Sequence, residues 1–415
     1  MDGVYKRLKN WFASIAPGLF ILGYVIGTGS VTTMVAAGAK YGMALTWALL
    51  LSCIFSFIVL IAVGKLTIIS KNTLLTNFKL HFGKGIVLFI LLSLLGSIVS
   101  SVVGITAVVS DIVAGWYGIL KGYEPTNIRI YIAILLIGSL YFLFFLGHHK
   151  LFMKVIALFV AFMSVSFLMT SIIVVTDSNW TFAGMIPEIP KTGNPYLIIG
   201  GMVGTTMAAV VIVSRSIVVQ EKKWSVKQLG LETRDAAISM ILTFLVSAAI
   251  MASAAATLFS GQGFDVVNTM DMVNTLIPLA GQFALFLFVC GIVAAALSSL
   301  LPNFLLFPWL LCDYLDIPRK MDKTLFRIVV FFIACSGLIV PIFGGRPIPI
   351  LIFSQALSPI MMPLITLLTI ILLNNKKLMG INRNKWPFNF ALFIAFGFTL
   401  YMCIASLTGM LGLLK

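Results

Sequence analysis

The sequence predicts an all-α membrane protein: about eleven hydrophobic helices in a single domain, with helices one and six broken. Three observations carry this. Hydrophobic residues make up 60% of the 415 residues, only 10% are charged, and the mean hydropathy is +1.10. A soluble domain carries about 25% charged residues, whereas a helix crossing hydrocarbon needs roughly 20 mostly apolar ones. Apolar runs of that length recur at about 11–36, 43–69, 86–118, 128–147, 150–176, 194–219, 235–260, 276–311, 325–345, 347–373 and 387–413. Glycine clusters interrupt the first and the sixth.

Each run has its own signals. The first follows Lys6, Arg7 and Lys9, as a signal peptide would, but continues without a cleavage-like site and reads as a retained span. The third and eighth exceed the hydrocarbon thickness and predict tilt or bending. Polar stretches at 177–193 and 220–235 are loop-sized and separate runs five, six and seven. Arg346 divides the ninth from the tenth, and a basic linker ending at Lys385 precedes the eleventh.

Charge placement predicts the orientation. With the N-terminus in the cytoplasm and eleven crossings, 22 of the 28 basic residues fall in inside loops. The outside set is Lys40, Lys121, Arg129, Lys191, Arg346 and Lys415, so the C-terminus lies outside. The expected location is a bacterial plasma membrane. The net charge of +15 is spread through short loops, which suits lipid headgroups and not nucleic acid. The three histidines, His81, His148 and His149, fall in predicted inside loops, so the chain does not read as an enzyme. Five scattered cysteines read as small buried hydrophobes. No nucleotide-binding motif and no cofactor signature is present. The predicted partners are the bilayer and a small solute or ion.

The interruptions point to function. Run one reads Gly27-Thr28-Gly29-Ser30 at its centre, and run six reads Gly200-Gly201-Met202-Val203-Gly204-Thr205-Thr206. Glycine weakens a helix interior by about 1 kcal/mol relative to alanine. Unwound backbone survives at membrane depth only where protein or a watery cavity satisfies it. Two such segments five spans apart fit an inverted repeat, about 11–176 and 194–373, followed by an extra helix at about 387–413. That pairing is a sequence pointer to a transporter site. The plainer reading is close helix packing through small residues.

At these residues the chain resembles the natural-resistance-associated macrophage protein (NRAMP) family of proton-coupled divalent-metal transporters, which has the leucine-transporter (LeuT) fold. Ala16-Pro17-Gly18-Leu19 and Ala36-Ala37-Gly38-Ala39-Lys40-Tyr41-Gly42 are similar to the flanks of the family's first helix. Ser298-Ser299 after an Ala-rich stretch, Ser354-Gln355 with Pro363, and Asn375-Lys376-Lys377-Leu378-Met379-Gly380 extend the resemblance along the chain. The metal signatures themselves are absent. Where the family has Asp-Pro-Gly-Asn, this chain has Gly27, Thr28, Gly29 and Ser30; where it has Met-Pro-His, this chain has Ala208, Ala209 and Val210. A one-residue shift would put Met207 at the thioether position. Asp111 matches an intramembrane aspartate of the family, the glutamate expected three residues on is Ala114, and Gln355 matches a substrate-facing glutamine.

The substrate-binding candidates are therefore Gly27, Thr28, Gly29, Ser30, Thr205, Met207, Ala208 and Gln355; no metal-ligand set can be assigned. The candidates for coupling or gating are Asp111, Arg215 and Arg327. Asp111 reads as the one acid well inside the membrane, as a relay or as a hydrogen-bond partner of Ser110 or a neighbouring helix. Arg215 reads as a snorkelling residue or as a charge partner of Asp111. Arg327 reads as a positive-inside anchor or as part of a proton exit route. Ser298, Ser299 and Asn303 read as helix–helix hydrogen bonding, and Asp265 to Asp271 as a solvated acidic loop. The class implied is a secondary transporter of inorganic divalent cations by alternating access. Without a carboxylate at the break, manganese or iron in the family's usual manner is not expected, and a largely hydrated magnesium ion asks less. Two alternatives stand: a small amino acid or carboxylate held by backbone N–H groups of the Gly-Thr-Gly-Ser break, and a membrane sensor that does not transport.

Overall fold

The computed structural model describes residues 25–123, 127–145, 186–259, 263–267, 269–274, 277–320 and 323–412, with Gly23, Leu158, Val165 and Gly184 besides. Helix is the only regular structure among them. In order these are α1 (Thr28–Tyr41), α2 (Thr46–Ser70), α3 (Leu74–Phe82), α4 (Lys84–Lys121), α5 (Ile128–Phe145), α6 (Pro195–Thr206), α7 (Ala209–Lys222) and α8 (Leu229–Leu258). There follow α9 (Thr269–Asn274), α10 (Ile277–Leu315), α11 (Thr324–Ser336), α12 (Ile339–Phe343), α13 (Pro347–Ala356), α14 (Met362–Asn374), α15 (Lys376–Met379) and α16 (Trp386–Leu411).

Among the described residues, eight spans are long and apolar enough to cross a membrane, counting α6–α7, α11–α12 and α13–α14 as one each. Ile128–Phe144 is a shorter apolar helix. The first expected run is described only from Gly23, and the fifth, 150–176, lies outside the described residues apart from Leu158 and Val165. α4 has 38 residues, about 57 Å at 1.5 Å per residue, far more than the roughly 30 Å of hydrocarbon. α10 carries Pro302 and Pro308 inside its length.

The interior is assembled around α1, α6 and α13. α1 packs mainly on α8, α13 lies between α4 and α6, and α16 covers α6 and α14. Lipid supplies no hydrophobic drive between helices, so close approach through small residues does much of the work. Gly204 is the tightest case among the glycines of the described α-helices. A Cβ there would run into the carbonyl oxygen of Gln355 on α13. This corrects the expectation that the glycines of run six mark its break: α6 is helical through them to Thr206, and they pack.

Polar contacts tie both ends of the bundle. At the end bearing most of the basic residues, Arg319 pairs with Asp313 at 2.6 Å and donates to Gln220 at 3.2 Å, while Gln220 donates to the Lys71 carbonyl at 3.0 Å. Lys79 reaches the carbonyls of Asp313 and Tyr314 at 2.9 and 3.1 Å. At the other end Lys40 pairs with Asp265, the Tyr41 hydroxyl donates to Thr192 O at 3.0 Å, and Trp47 donates to Glu188 O at 3.1 Å. The loop from Asp265 is thus joined to α1, beyond the plain solvated loop read from sequence.

Gly204→Ala is expected to destabilise the protein by about 1–3 kcal/mol through overpacking. Gly397→Ala, where nothing lies within 4 Å of the added Cβ, is expected to leave stability unchanged or slightly raised. Thermal unfolding of the two variants in the same detergent checks the contrast.

Candidate functional site

Run one bends at Ile26–Gly27 and restarts as α1 at Thr28. Gly27 is extended (φ −100°, ψ −176°), and no side chain caps the helix that follows it. The first backbone bond of α1 runs from Val31 N to Gly27 O at 3.0 Å, so the amides of Thr28, Gly29 and Ser30 head an open helix end. Run six breaks at Met207 (φ −113°, ψ 44°) and Ala208 (φ −66°, ψ 130°), and α7 also begins without a side-chain cap. The end of α6 is moored to α2: Thr206 donates to Ser52 Oγ at 2.6 Å and Ser56 donates to Thr206 O at 3.2 Å. A third break separates α13 from α14, where Ser358–Ile360 forms a 3-10 turn containing Pro359. The sequence reading took run ten as one helix.

The three breaks enclose a small cavity with about 30 Å³ of room for the centres of water-sized spheres, space for about two waters. Gly27, Gly29 and Ser30 line it from run one, Thr205, Ala208 and Val210 from run six, and Gln355 and Ser358 from run ten. Of the predicted binding residues, Thr28 and Met207 are not on it. Thr28 turns to α10 and donates to Ile292 O at 3.5 Å, and Met207 is buried within the fold. Sequence reasoning missed Ser97 and Ser101 on α4, Ser358, and the exposure of Ser299 and Asn303 on α10 to the cavity. Ser298 does what was expected of all three, donating to Gly23 O at 3.0 Å. The missed residues are serines and one asparagine, all but Ser358 in long apolar helices, and only the helix periodicity of Ser97–Ser101 and Ser299–Asn303, each four apart, could have shown that each pair shares a face.

The described lining is uncharged, with hydroxyls and amides set beside the apolar Val25, Ile105, Ala208 and Val210. Gln355 donates to Ser101 Oγ at 3.3 Å, and its amide lies where a Cβ on Gly29 would come within 2.7 Å, so glycine is what admits it. Asn303 donates to Ser299 O at 3.0 Å. The buried hydroxyl of Ser299 has no hydrogen-bond partner. Among the described residues, no carboxylate, imidazole or sulfur lines the cavity. Among the described residues, no three His, Cys, Asp or Glu side chains cluster as a metal centre would require.

The coupling candidates fall elsewhere. Asp111 on α4 pairs with Arg129 at 3.0 Å and accepts from the Thr269 hydroxyl, while Ser110 donates to Ala107 O instead. Arg215 does not meet Asp111, contrary to the sharper sequence reading. It is fully buried and pairs with Glu232 at 3.0 Å and Asp235 at 2.5 Å. Asp111 is thus not the one acid buried in a span: α8 begins at Leu229 and carries Glu232 and Asp235 inward, where sequence suggested a loop. Arg327 lies in the first turn of α11 and does not line the cavity.

Comparison with known proteins places these features. The family profile Nramp, Natural resistance-associated macrophage protein-like, matches residues 18–409. The chain belongs to the Nramp family. Its match to the Natural resistance-associated macrophage protein 2 homolog of Dictyostelium discoideum is 24% identical over 396 residues, covering 92% of this chain and 60% of that protein. The Nramp chain therefore spans about 60% of that relative's length. Its fold is similar to that of the Eremococcus coleocola manganese transporter, with TM-score 0.75 at 14% identity over 97% of this chain and 86% of that one. It is also similar to Mhp1, a nucleobase-cation-symport-1 family transporter, with TM-score 0.56 at 14% identity, covering 96% and 90%. The Nramp chain is accordingly an integral membrane protein of LeuT-like fold, of a family of transporters and not enzymes.

The Asp111–Arg129 pair is half open, with the Arg129 side chain 51% exposed. A double-mutant cycle with Asp111→Asn and Arg129→Gln, read by thermal unfolding, is expected to give a coupling below about 1 kcal/mol. A larger coupling would mean that the pair works in a drier setting than its exposure indicates.

Proposed function

We propose that this Nramp chain is an alternating-access secondary transporter whose solute occupies the cavity between Gly27–Ser30 and Met207–Ala208, and that the solute is a hard divalent cation keeping part of its water shell. The observation that carries the reading is the cavity's size together with its donors: about 30 Å³, neutral oxygens, and one buried hydroxyl, Ser299, without a partner. Sites for small organic molecules run to about 300–1,000 Å³, so the cavity suits an ion and a water or two. Family membership supports a divalent cation as cargo. Bare dications are costly to bury without a counter-charge, and Gly27, Ser30 and Ala208 supply neither carboxylate nor thioether. Magnesium, which dehydrates reluctantly and takes oxygen ligands, fits those donors better than manganese or iron.

In this reading Gln355, Ser101, Ser299 and Asn303 hold the water shell, and the carbonyls released at the end of α6 turn partial negative charge toward the ion. α1 and α7 move against the rest, exposing the cavity to one side at a time. The end carrying Lys71, Lys79 and Arg319 faces the cytoplasm, because it holds most of the basic residues. The two halves, about 11–176 and 194–373, act as an inverted repeat. A small carboxylate is the second reading, favoured by the uncapped amides at the start of α1.

Proteoliposomes loaded with a magnesium-sensitive dye test the proposal. Mg²⁺ is expected to accumulate, Gly29→Ala to slow it about tenfold by displacing the Gln355 amide, and Mn²⁺ to bind weakly by calorimetry. Micromolar Mn²⁺ affinity would count against the reading, and ligand binding without accumulation of any solute would favour a sensor. Separately, Gly27→Asp with Ser30→Asn and Ala208→Met is expected to raise Mn²⁺ affinity at least about tenfold, since all three positions line the cavity. No gain would mean that those side chains do not converge on one ion.

A further inference from the structure

The described lining of the cavity is uncharged, yet the same helix that starts at it carries a buried charge at its middle. α7 begins beside Ala208, contributes Val210 to the cavity, and carries Arg215 five residues further, about 7 Å along its axis. Arg215, Glu232 and Asp235 have side chains 0–1% exposed. The guanidinium donates to Glu232 Oε1 from Nε at 3.3 Å and from Nη2 at 3.0 Å, to Glu232 O at 3.3 Å, and to Asp235 Oδ2 at 2.5 Å. All of these donations except that to Asp235 reach Glu232 through Oε1 or the backbone. Glu232 Oε2 is buried and accepts no hydrogen bond at all.

That oxygen belongs to a carboxyl packed against backbone. The Glu232 carboxyl lies directly on the α2 backbone at Gly64, where a Cβ would collide with Oε1. The charged groups acting on it are Arg215 from α7 and Asp235 from its own helix. From α2 the neighbouring Lys65 turns away, donating to Asn384 Oδ1 at 2.8 Å with its ammonium 5.8 Å from the centre of the Phe388 ring. A buried carboxylate oxygen without a protein donor is poorly placed to carry its share of the charge.

We propose that Glu232 Oε2 is a proton-binding site and that its protonation releases α7. The chemistry is one O–H bond formed at Oε2 and one broken in a hydronium ion, which is left as water, and the carboxylate becomes a neutral acid. Arg215 then keeps a weaker neutral acceptor at Oε1, and its hold on α8 loosens. Because Ala208 and Val210 ride on the same helix, loosening that end frees the cavity's α7 wall to move. Resting as it does on the transporter reading for its purpose, the site itself is testable without transport.

The full-length protein in liposomes, titrated with acid under infrared difference spectroscopy, reads the proton directly. The carboxylic-acid carbonyl band is expected to grow as pH falls, to lack one component in Glu232→Gln, and to keep that component in Asp111→Asn. A spectrum unchanged by Glu232→Gln would overturn the proposal and leave the cluster a fixed ion pair. Should that variant fail to fold, Gly64→Ala serves, because its methyl lifts the carboxyl from α2: the band's midpoint is expected to shift by about tenfold in proton concentration, and an unmoved midpoint overturns the assignment. Spin labels at exposed Glu221 and Lys385 report the movement. Their distance distribution is expected to change on acidification in the native chain and to sit in its acid form at every pH in Glu232→Gln. A distribution indifferent to both would refute the release of α7. If Mg²⁺ fails to accumulate while band and distances respond, the transporter reading falls and the proton site stands.

Discussion

Backbone groups released at Gly27 and at Met207–Ala208 must be satisfied inside the protein, because hydrocarbon offers no hydrogen bonds. That constraint orders the rest of the molecule. The two open ends face one another across a cavity too small for bulk water, and the walls around them are hydroxyls and amides and not charges. α6 is pressed so closely to α13 at Gly204 that the Gln355 carbonyl fills the place of a side chain. The same contact delivers the Gln355 side chain to the cavity, where Gly29 leaves it room. Packing and site are therefore one arrangement: whatever moves α13 away from α6 also removes an amide from the cavity.

Charge is distributed in the opposite sense. The resemblance implies a carboxylate at Gly27, and none is there. Buried carboxylates instead stand beside the middle of α7, as Glu232 and Asp235 around Arg215. A buried ion pair is weak evidence for stability, since apolar residues of similar volume often do as well. Its retention at 0–1% exposure, with one oxygen left unpartnered, fits a switching role better than a purely structural one.

Much of the fold was legible because hydropathy reports lipid directly, and the long runs in α4, α8, α10 and α16 left little ambiguity. The breaks were only partly legible. Gly27 was found because it sits at the bend itself. The glycines of run six misled, because glycine lowers helix propensity and permits close packing by the same loss of a side chain. The true break at Met207–Ala208 has no local signal; only alignment to the family's Met-Pro-His position pointed near it. Pro359 was a missed signal for the third break. Glu232 was invisible as a buried acid, because its partner Arg215 is 17 residues away across a turn and the intervening segment is polar enough to pass for a loop.

The two halves of run six are held by different kinds of force, and this decides which can move. α6 is fixed by backbone-level contact at Gly204 and by Thr206 hydrogen bonds to α2, and these cannot open without leaving voids or unpaired groups. α7 packs on α2 with residues 209–219 buried, and beyond that apolar contact it is tied by Arg215 to α8 and by Gln220 to Arg319 and Lys71, polar contacts that water or a proton can replace. In the proposed cycle that difference makes α6 part of the frame and α7 the moving part, with Met207–Ala208 as the joint between them.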